Sequence, residues 1–433
     1  MTAVFGFATV IISVVFILRR IMGPIPAFIL VPAVISLTAG YGWQTGDFIL
    51  KGMRAVAPIG IMFIFATLFF GVIISAGTLR PIVHFIFHAV GHDPVRICIG
   101  TGILALLAEM SASGVVTVMA VIPAMLPLFD GLGMRRTTLA TVLSLSAGFQ
   151  CTQPWGSTAQ RCMVALNLTS HELWVPIIIP LAVGLLSIFC IDCYLGRCER
   201  KRIGLARLAE PIQLKPTVDE IKMAEYERPK LAKFNMLLVV VTIGVLISGM
   251  VHAAVVFMIS LAIALVVNYP RVTEQKFMLA YHSHSALTMA GIVFATGSLV
   301  GVMNCTGMIQ AMAEALVMII PVVLGPHMAV IVGVFAMPAT LLFDPSSFYF
   351  GVLPVLAEAG TTYGIMPVEM ARAAFFGQMN MGFPVSPLTG TTFMLVAMAK
   401  LDLAEHQRRT IPWAFAVTII MLVTALVCGV VPA

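Results

Sequence analysis

What most limits the fold of this chain is where its charges are missing. Predominantly apolar runs of about the length needed to cross a bilayer follow one another through the whole sequence, separated by charged breaks. The first, Thr2 to Leu18, holds no charged residue and stops at Arg19 and Arg20. Further runs lie near 23–40, 57–78, 137–165 and 173–191, then near 234–249, 252–268, 286–308, 367–399 and 411–431. Only 10% of the 433 residues are charged and 60% are hydrophobic, whereas a soluble domain needs about 25% charged residues to coat its surface. The expectation is an all-α polytopic membrane protein with ten transmembrane helices in a lipid bilayer. A lone lipid anchor is excluded. The net charge of +6 points to no nucleic-acid partner, because the basic excess lies in loops where cytoplasmic Lys and Arg belong. Nothing basic precedes the first run, so it reads as an anchor and not a cleaved signal. The eight cysteines fall mostly in apolar runs and read as buried small residues rather than a disulfide framework.

The segment from Asp192 to Lys233 breaks the pattern, with 17 charged residues, ten of them basic. It reads as a solvated cytoplasmic linker (192–233) between an N-terminal membrane repeat (1–191) and a C-terminal one (234–433). Alternating sides outward from it places Arg135, Arg136, Arg408 and Arg409 inside, and leaves the loop 41–56, with Lys51 and Arg54, outside against the usual rule. The two halves resemble each other. Gly71, Val72 and Gly77 match Gly301, Val302 and Gly307 at an offset of 230. Pro123 and Gly133 match Pro354 and Gly364 at 231, and "TQPWGSTA" from Thr152 lies over "VSPLTGTT" from Val385 at 233. Five crossings per half is an odd number, so the copies enter the membrane from opposite sides. Such inverted-topology repeats are the architecture of secondary transporters, whose sites form near the bilayer midplane where broken helices meet.

Four breaks mark candidate binding positions, because unwound backbone at membrane depth survives only where protein or a polar cavity satisfies it. Two are tips of expected re-entrant hairpins, near 97–128 and 329–356. The first tip offers Ser111, Ser113 and Gly114, the second Ser346 and Ser347. The other two interrupt long helices, where Pro154 and Pro387 each remove a helical hydrogen bond. They offer Thr152, Gln153, Trp155, Gly156, Ser157 and Thr158, and Ser386, Thr389, Gly390, Thr391 and Thr392. Hydroxyls and free amides at half-helix N-termini suit a carboxylate. An isolated Ser or Thr in a membrane helix bonds back to its own preceding turn; recurrence in repeat-related breaks favours binding. Glu109 and Asp344, at the hairpin tips, are the candidate coupling-ion residues, since an acid at membrane depth can carry a proton or ligate a hard cation. Arg161 can hold a substrate carboxylate or neutralise an acid. His84, His88 and His92 share one face of an interfacial helix, with metal binding the lesser alternative. No HExxH, GxSxG or Walker-type motif is present, so neither a hydrolase nor an ATP-driven pump is indicated.

"GHDPV" (91–95), "PWG" followed by Arg161, "FYFGVLPVLAEA" (348–359), "SPLTGTTFMLV" (386–396) and "AEHQRRT" (404–410) resemble the citrate-metal-proton symporter (CitMHS) family of the ion transporter superfamily. The resemblance runs from about residue 20 to 430. It implies proton-coupled symport of citrate or a related di- or tricarboxylate across a bacterial inner membrane, as a complex with a divalent metal. The wider superfamily, which includes the divalent-anion sodium symporters, implies a homodimer in which an elevator-like transport domain moves against a fixed scaffold. One departure is notable. The first tip reads "SASG" at 111–114 where an acidic "DGDG"-type turn is expected, so two carboxylates able to coordinate a metal are absent and a metal-free carboxylate is favoured. No resident cofactor is expected, and the coupling ion is a proton or, alternatively, sodium. A membrane-embedded enzyme or a channel is the rival class, and the chain lacks the nucleophile–base or metal constellation an enzyme needs.

Overall fold

The computed structural model describes residues 2–19, 21–78, 91, 93–111, 114–203, 224–248, 250–318, 323–343 and 345–432. His84, His88, His92, Ser113 and Asp344 lie outside them. The described chain is helical throughout. Its first half contains α1 (Thr2–Leu18), α2 (Pro24–Thr38), α3 (Gln44–Ser75), α4 (Pro94–Ala108), α5 (Gly114–Gly131), α6 (Arg136–Gln150), α7 (Ser157–Leu166) and α8 (Ile178–Ile203). The second half contains α9 (Ala232–Ser248), α10 (Ala253–Asn268), α11 (Val272–Cys305), α12 (Met308–Val317), α13 (Met328–Ala339), α14 (Leu353–Thr361), α15 (Pro367–Phe375), α16 (Gly390–Ala399) and α17 (Leu403–Val427). Five segments are long and apolar enough to cross a membrane, by length and composition: Gln44–Ser75, Ser170–Ile203, Pro229–Leu246, Ala286–Cys305 and Leu403–Val427. Shorter apolar helices accompany them.

The matched blocks of the two halves share backbone features. Gly77 and Gly307 both turn into the left-handed region, at φ 75° and 71°, as do Gly133 and Gly364 and, unusually for side-chain-bearing residues, Asn167 and Lys400 at 53° and 54°. These pairs stand 230, 231 and 233 residues apart, the offsets of the three matched sequence blocks. Packing is reciprocal too, with α3 against α10 and α11 against α2.

The core of the assembly is the α3–α11 crossing. A Cβ on Gly52 would lie 2.0 Å from the Gly297 carbonyl oxygen, and one on Gly301 would lie 2.4 Å from that of Phe48. Small residues spaced four apart let the two backbones touch, which is the packing that drives helices together in lipid. This contact also corrects the expected loop at 41–56. Here α3 starts at Gln44 and carries Lys51 and Arg54 on its exposed side.

A second difference is at Asp192, read from the sequence as the first residue of a solvated linker. Helix α8 runs through it to Ile203, with Asp192, Leu195, Gly196 and Glu199 buried. Gly196 lets α8 pass against the α4 backbone, since a Cβ there would meet Val95 Cα at 2.6 Å. Glu199 binds the start of α6, accepting from Thr138 Oγ1 at 3.0 Å and from the Arg135 amide at 3.3 Å. A carboxylate at a helix N-terminus is favoured by the amides and dipole there. Asp192 therefore belongs to the membrane bundle.

Candidate functional site

Four interruptions of helix converge. α4 ends in a 3-10 turn, Glu109–Ser111, before α5. α6 and α7 are separated by the Cys151–Gly156 break, whose Gly156 sits so close to the Cys151 carbonyl that a Cβ would lie 2.5 Å from it. α13 leads into a wide π-turn segment, Ser347–Val352, ahead of α14. α15 unwinds at Gln378 and Met379, where Met379 has φ 55°, and the chain resumes helix at Gly390. Gly114, at the start of α5, packs against the Phe383 ring and Thr391, closer than any Cβ could sit. The first tip thus leans on the second helix break.

Between these elements lies a cavity of about 410 Å³, within the roughly 300–1,000 Å³ range of small-molecule sites. Of the residues expected from the sequence, Ser157, Thr158, Arg161, Ser346, Thr389 and Thr391 line it. Arg161 is the sole ionised side chain among the described lining residues, and its Nη1 donates to the Ser157 carbonyl at 2.9 Å. The N-termini of α7 and α16, with Gly156 and Thr389 as N-caps, both open on the cavity. Their first-turn amides have no helical acceptor and carry the positive end of the helix dipole. Cation, hydroxyls and two helix N-termini together form a wall for an anion. Thr158 Oγ1 also donates to the Met379 carbonyl at 3.3 Å, linking the two breaks.

Other expected residues have turned to the backbone. Thr152 Oγ1 donates to its own preceding turn, at Phe149 O (2.7 Å), while its carbonyl accepts from Trp174 Nε1 at 2.9 Å. Gln153 Nε2 donates to Glu109 O at 3.1 Å and Trp155 Nε1 to Met110 O at 3.2 Å. These two fasten the first tip, and the Trp155 ring is stacked on Phe70 at 4.5 Å. Ser386 Oγ donates to Thr340 O at 2.8 Å, and Thr392 Oγ1 shares a 2.7 Å bond with Thr389 Oγ1. Ser347 is buried at the head of the π segment, Gly390 opens α16, and Ser111 closes the 3-10 turn. Glu109 is buried and is not among the cavity's described lining residues, with Cys151 Sγ donating to Oε1 at 3.9 Å.

Residues the sequence reading missed are Met379 and Phe383, which line the cavity, and Gln378 with its neighbours. Tyr349 Oη donates to the Gln378 carbonyl at 2.9 Å and Thr340 Oγ1 to Gln378 Oε1 at 3.2 Å; Asn380 Nδ2 donates to Phe375 O. A signal was present: two amides bracketed by Gly377 and Gly382 inside an apolar run.

A sequence profile described as citrate transporter (CitMHS) matches residues 3–377. The chain belongs to the citrate transporter family. It is 37% identical to a citrate transporter of Bacillus subtilis (strain 168), with all of both chains covered. It is 35% identical to that organism's Mg(2+)/citrate complex secondary transporter, over 100% of this chain and 99% of the relative. Among solved structures it resembles the Alcanivorax borkumensis YdaH transporter (TM-score 0.60, 14% identity, 90% of this chain and 89% of the other). It likewise resembles Neisseria gonorrhoeae MtrF (TM-score 0.61, 15% identity, 91% and 85%). At these identities the likeness is one of fold. As a member of the citrate transporter family, the chain is a multi-pass membrane transporter and not an enzyme.

Proposed function

We propose that this transporter is a proton-coupled symporter that carries citrate together with a divalent metal across the inner membrane, and that the substrate binds in the cavity between the helix breaks. The observation that carries this reading is the cavity wall: one guanidinium, five hydroxyls and two converging helix N-termini. Charge supports the metal complex as cargo. Fully ionised citrate is a trianion, whereas its complex with Mg²⁺ is a monoanion, which matches described lining residues whose formal charge is the Arg161 cation. The metal arrives with its ligands already in place, so the neutral "SASG" tip need supply none. The full names of two relatives, citrate transporter and Mg(2+)/citrate complex secondary transporter, agree with this cargo.

The architecture that suits this chemistry has ten spans, two re-entrant hairpins formed by α4–α5 and α13–α14, and inverted repeats. A homodimeric scaffold supports a transport domain holding both hairpins and both broken helices, moving as an elevator. Glu109 and Asp344 at the tips are the candidate coupling residues. Proteoliposomes with purified protein and radiolabelled citrate test the proposal. Saturable uptake, stimulated by Mg²⁺ and driven by an inward proton gradient, is the expected result. Uptake driven by a sodium gradient alone and indifferent to pH overturns the coupling, and uptake unaffected by Mg²⁺ overturns the metal complex.

A further inference from the structure

A buried acid outside the substrate cavity has no task in the mechanism above. Asp192 lies midway along α8 with its side chain wholly enclosed, at 0% exposure, and neither carboxyl oxygen has a hydrogen-bond partner among the described residues. It faces a notch on α4 made by Gly102. A Cβ on that glycine would lie 2.5 Å from Asp192 Oδ2 and 3.0 Å from Ser146 Oγ of α6. The Ser146 hydroxyl is also buried without a partner. Two orphaned polar groups from two helices therefore flank one missing methyl group, at a seam where α4, α6 and α8 all pack together.

The repeat supplies an internal comparison. Gly333 on α13 corresponds to Gly102 at an offset of 231, and α17 packs against α13 as α8 packs against α4. There the same notch is filled by an apolar side chain, with a Cβ on Gly333 falling 2.6 Å from Leu422 Cδ1. There a leucine satisfies the packing of the glycine against the long helix, so an acid in the Gly102 notch is there for something other than packing.

Among the described residues, no cation pairs with Asp192. Glu199, two turns on, is paired with Arg202 at 2.7 Å. On α4, Asp93 caps the helix by accepting from the Val95 amide, and Cys98, one turn before Gly102, is a buried thiol. Cys193 is its neighbour on α8, and on α17 His406 is bound to the Pro384 carbonyl at 2.8 Å. An ionised carboxylate in such a place would be left buried and unpaired, which costs several kcal/mol. A proton removes that charge and gives the acid a hydrogen to donate.

We propose that Asp192 is a proton-carrying site for transport, separate from the cavity, which in this conformation holds a proton in the closed seam beside the Gly102 notch. The inference rests on the proton-coupled reading above and adds a residue to it. Releasing the proton leaves the anion, which is stable only if water enters the seam, so release belongs to a conformation in which α4 and α6 have separated from α8. The first hairpin and the first broken helix would then report proton occupancy through the same seam.

Two readouts test it on the full-length protein in proteoliposomes. Each coupled proton multiplies citrate accumulation by about tenfold per unit of imposed pH gradient. Asp192→Asn should keep citrate–citrate exchange while its accumulation rises about tenfold less per pH unit than the wild type's. By infrared spectroscopy, the wild type at neutral pH should show a carboxylic-acid carbonyl band that Asp192→Asn lacks and Glu109→Gln retains. Should Asp192→Asn fail to fold, Ser146→Ala substitutes for it: loss of the polar group across the notch should shift the pH at which that band disappears. An unchanged accumulation slope in Asp192→Asn, an unchanged band, or no shift in Ser146→Ala overturns the assignment. Wild-type protein that exchanges no citrate overturns the proposed function instead, and the infrared band still decides whether Asp192 holds a proton.

Discussion

Thr158 and Thr391 occupy the same place in the two repeats, 233 residues apart, and both line the cavity. Thr152, a few residues before Thr158, spends its hydroxyl on Phe149 O. The sequence offers all three as hydroxyls beside a Pro–Gly break and gives no means of ranking them, because a χ1 rotation decides between backbone and cavity. Thr158→Ala and Thr391→Ala should each raise the KM for citrate several-fold, as expected for losing about 1 kcal/mol of hydrogen bonding, whereas Thr152→Ala should leave KM unchanged. Arg161→Gln removes the cation from the wall and should lower kcat/KM by about 10–100-fold, since hydrogen bonds to charged groups contribute about 1.5–3 kcal/mol. Initial uptake rates of labelled citrate into proteoliposomes measure both. A KM unaffected by Arg161→Gln would move the substrate out of this cavity.

At the scale of elements, helix starts and breaks were readable because their causes are local. Pro24, Pro94 and Pro367 each open a helix, and Pro154 with Gly156 interrupts one. The extents of α3 and α8 were not readable, since Lys51 and Arg54 look like loop residues until Gly52 is seen against Gly297, and Asp192 looks like linker until Gly102 is seen facing it. The α3–α11 crossing makes its own prediction. Gly301→Leu places a side chain against the Phe48 carbonyl and should destabilise the protein by about 1–3 kcal/mol or more, visible as a lower Tm and aggregation in detergent. Trp155→Phe keeps the ring stacked on Phe70 but removes the donor to Met110 O. It should loosen the first tip, raising the exchange rate of the amides around Glu109 in hydrogen–deuterium exchange while Tm changes little.

For the whole molecule, the matched left-handed residues and reciprocal helix packing tie the two halves into one assembly, with the cavity where their breaks meet. A ligand for that cavity should stabilise the entire fold by mass action, about 2.7 kcal/mol at one hundred times its Kd. Citrate with Mg²⁺ should therefore raise Tm more than citrate or Mg²⁺ alone in a thermal-shift measurement. Equal shifts for citrate with and without the metal would favour the free carboxylate expected from the "SASG" tip.

By itself the sequence determined the membrane class, the matched blocks of its two halves, the places where helices break and the family to which the chain belongs. The first three follow from composition, periodicity and Pro–Gly chemistry, which act over a few residues or repeat along the chain, and the family from the resemblance of its motifs. Only the tertiary structure decided which hydroxyls face the cavity, which serve the backbone, and that Asp192 is enclosed rather than solvated. Those outcomes depend on neighbours tens to hundreds of residues away, such as Gly102 for Asp192 and Met379 for Thr158, whose approach no local pattern encodes.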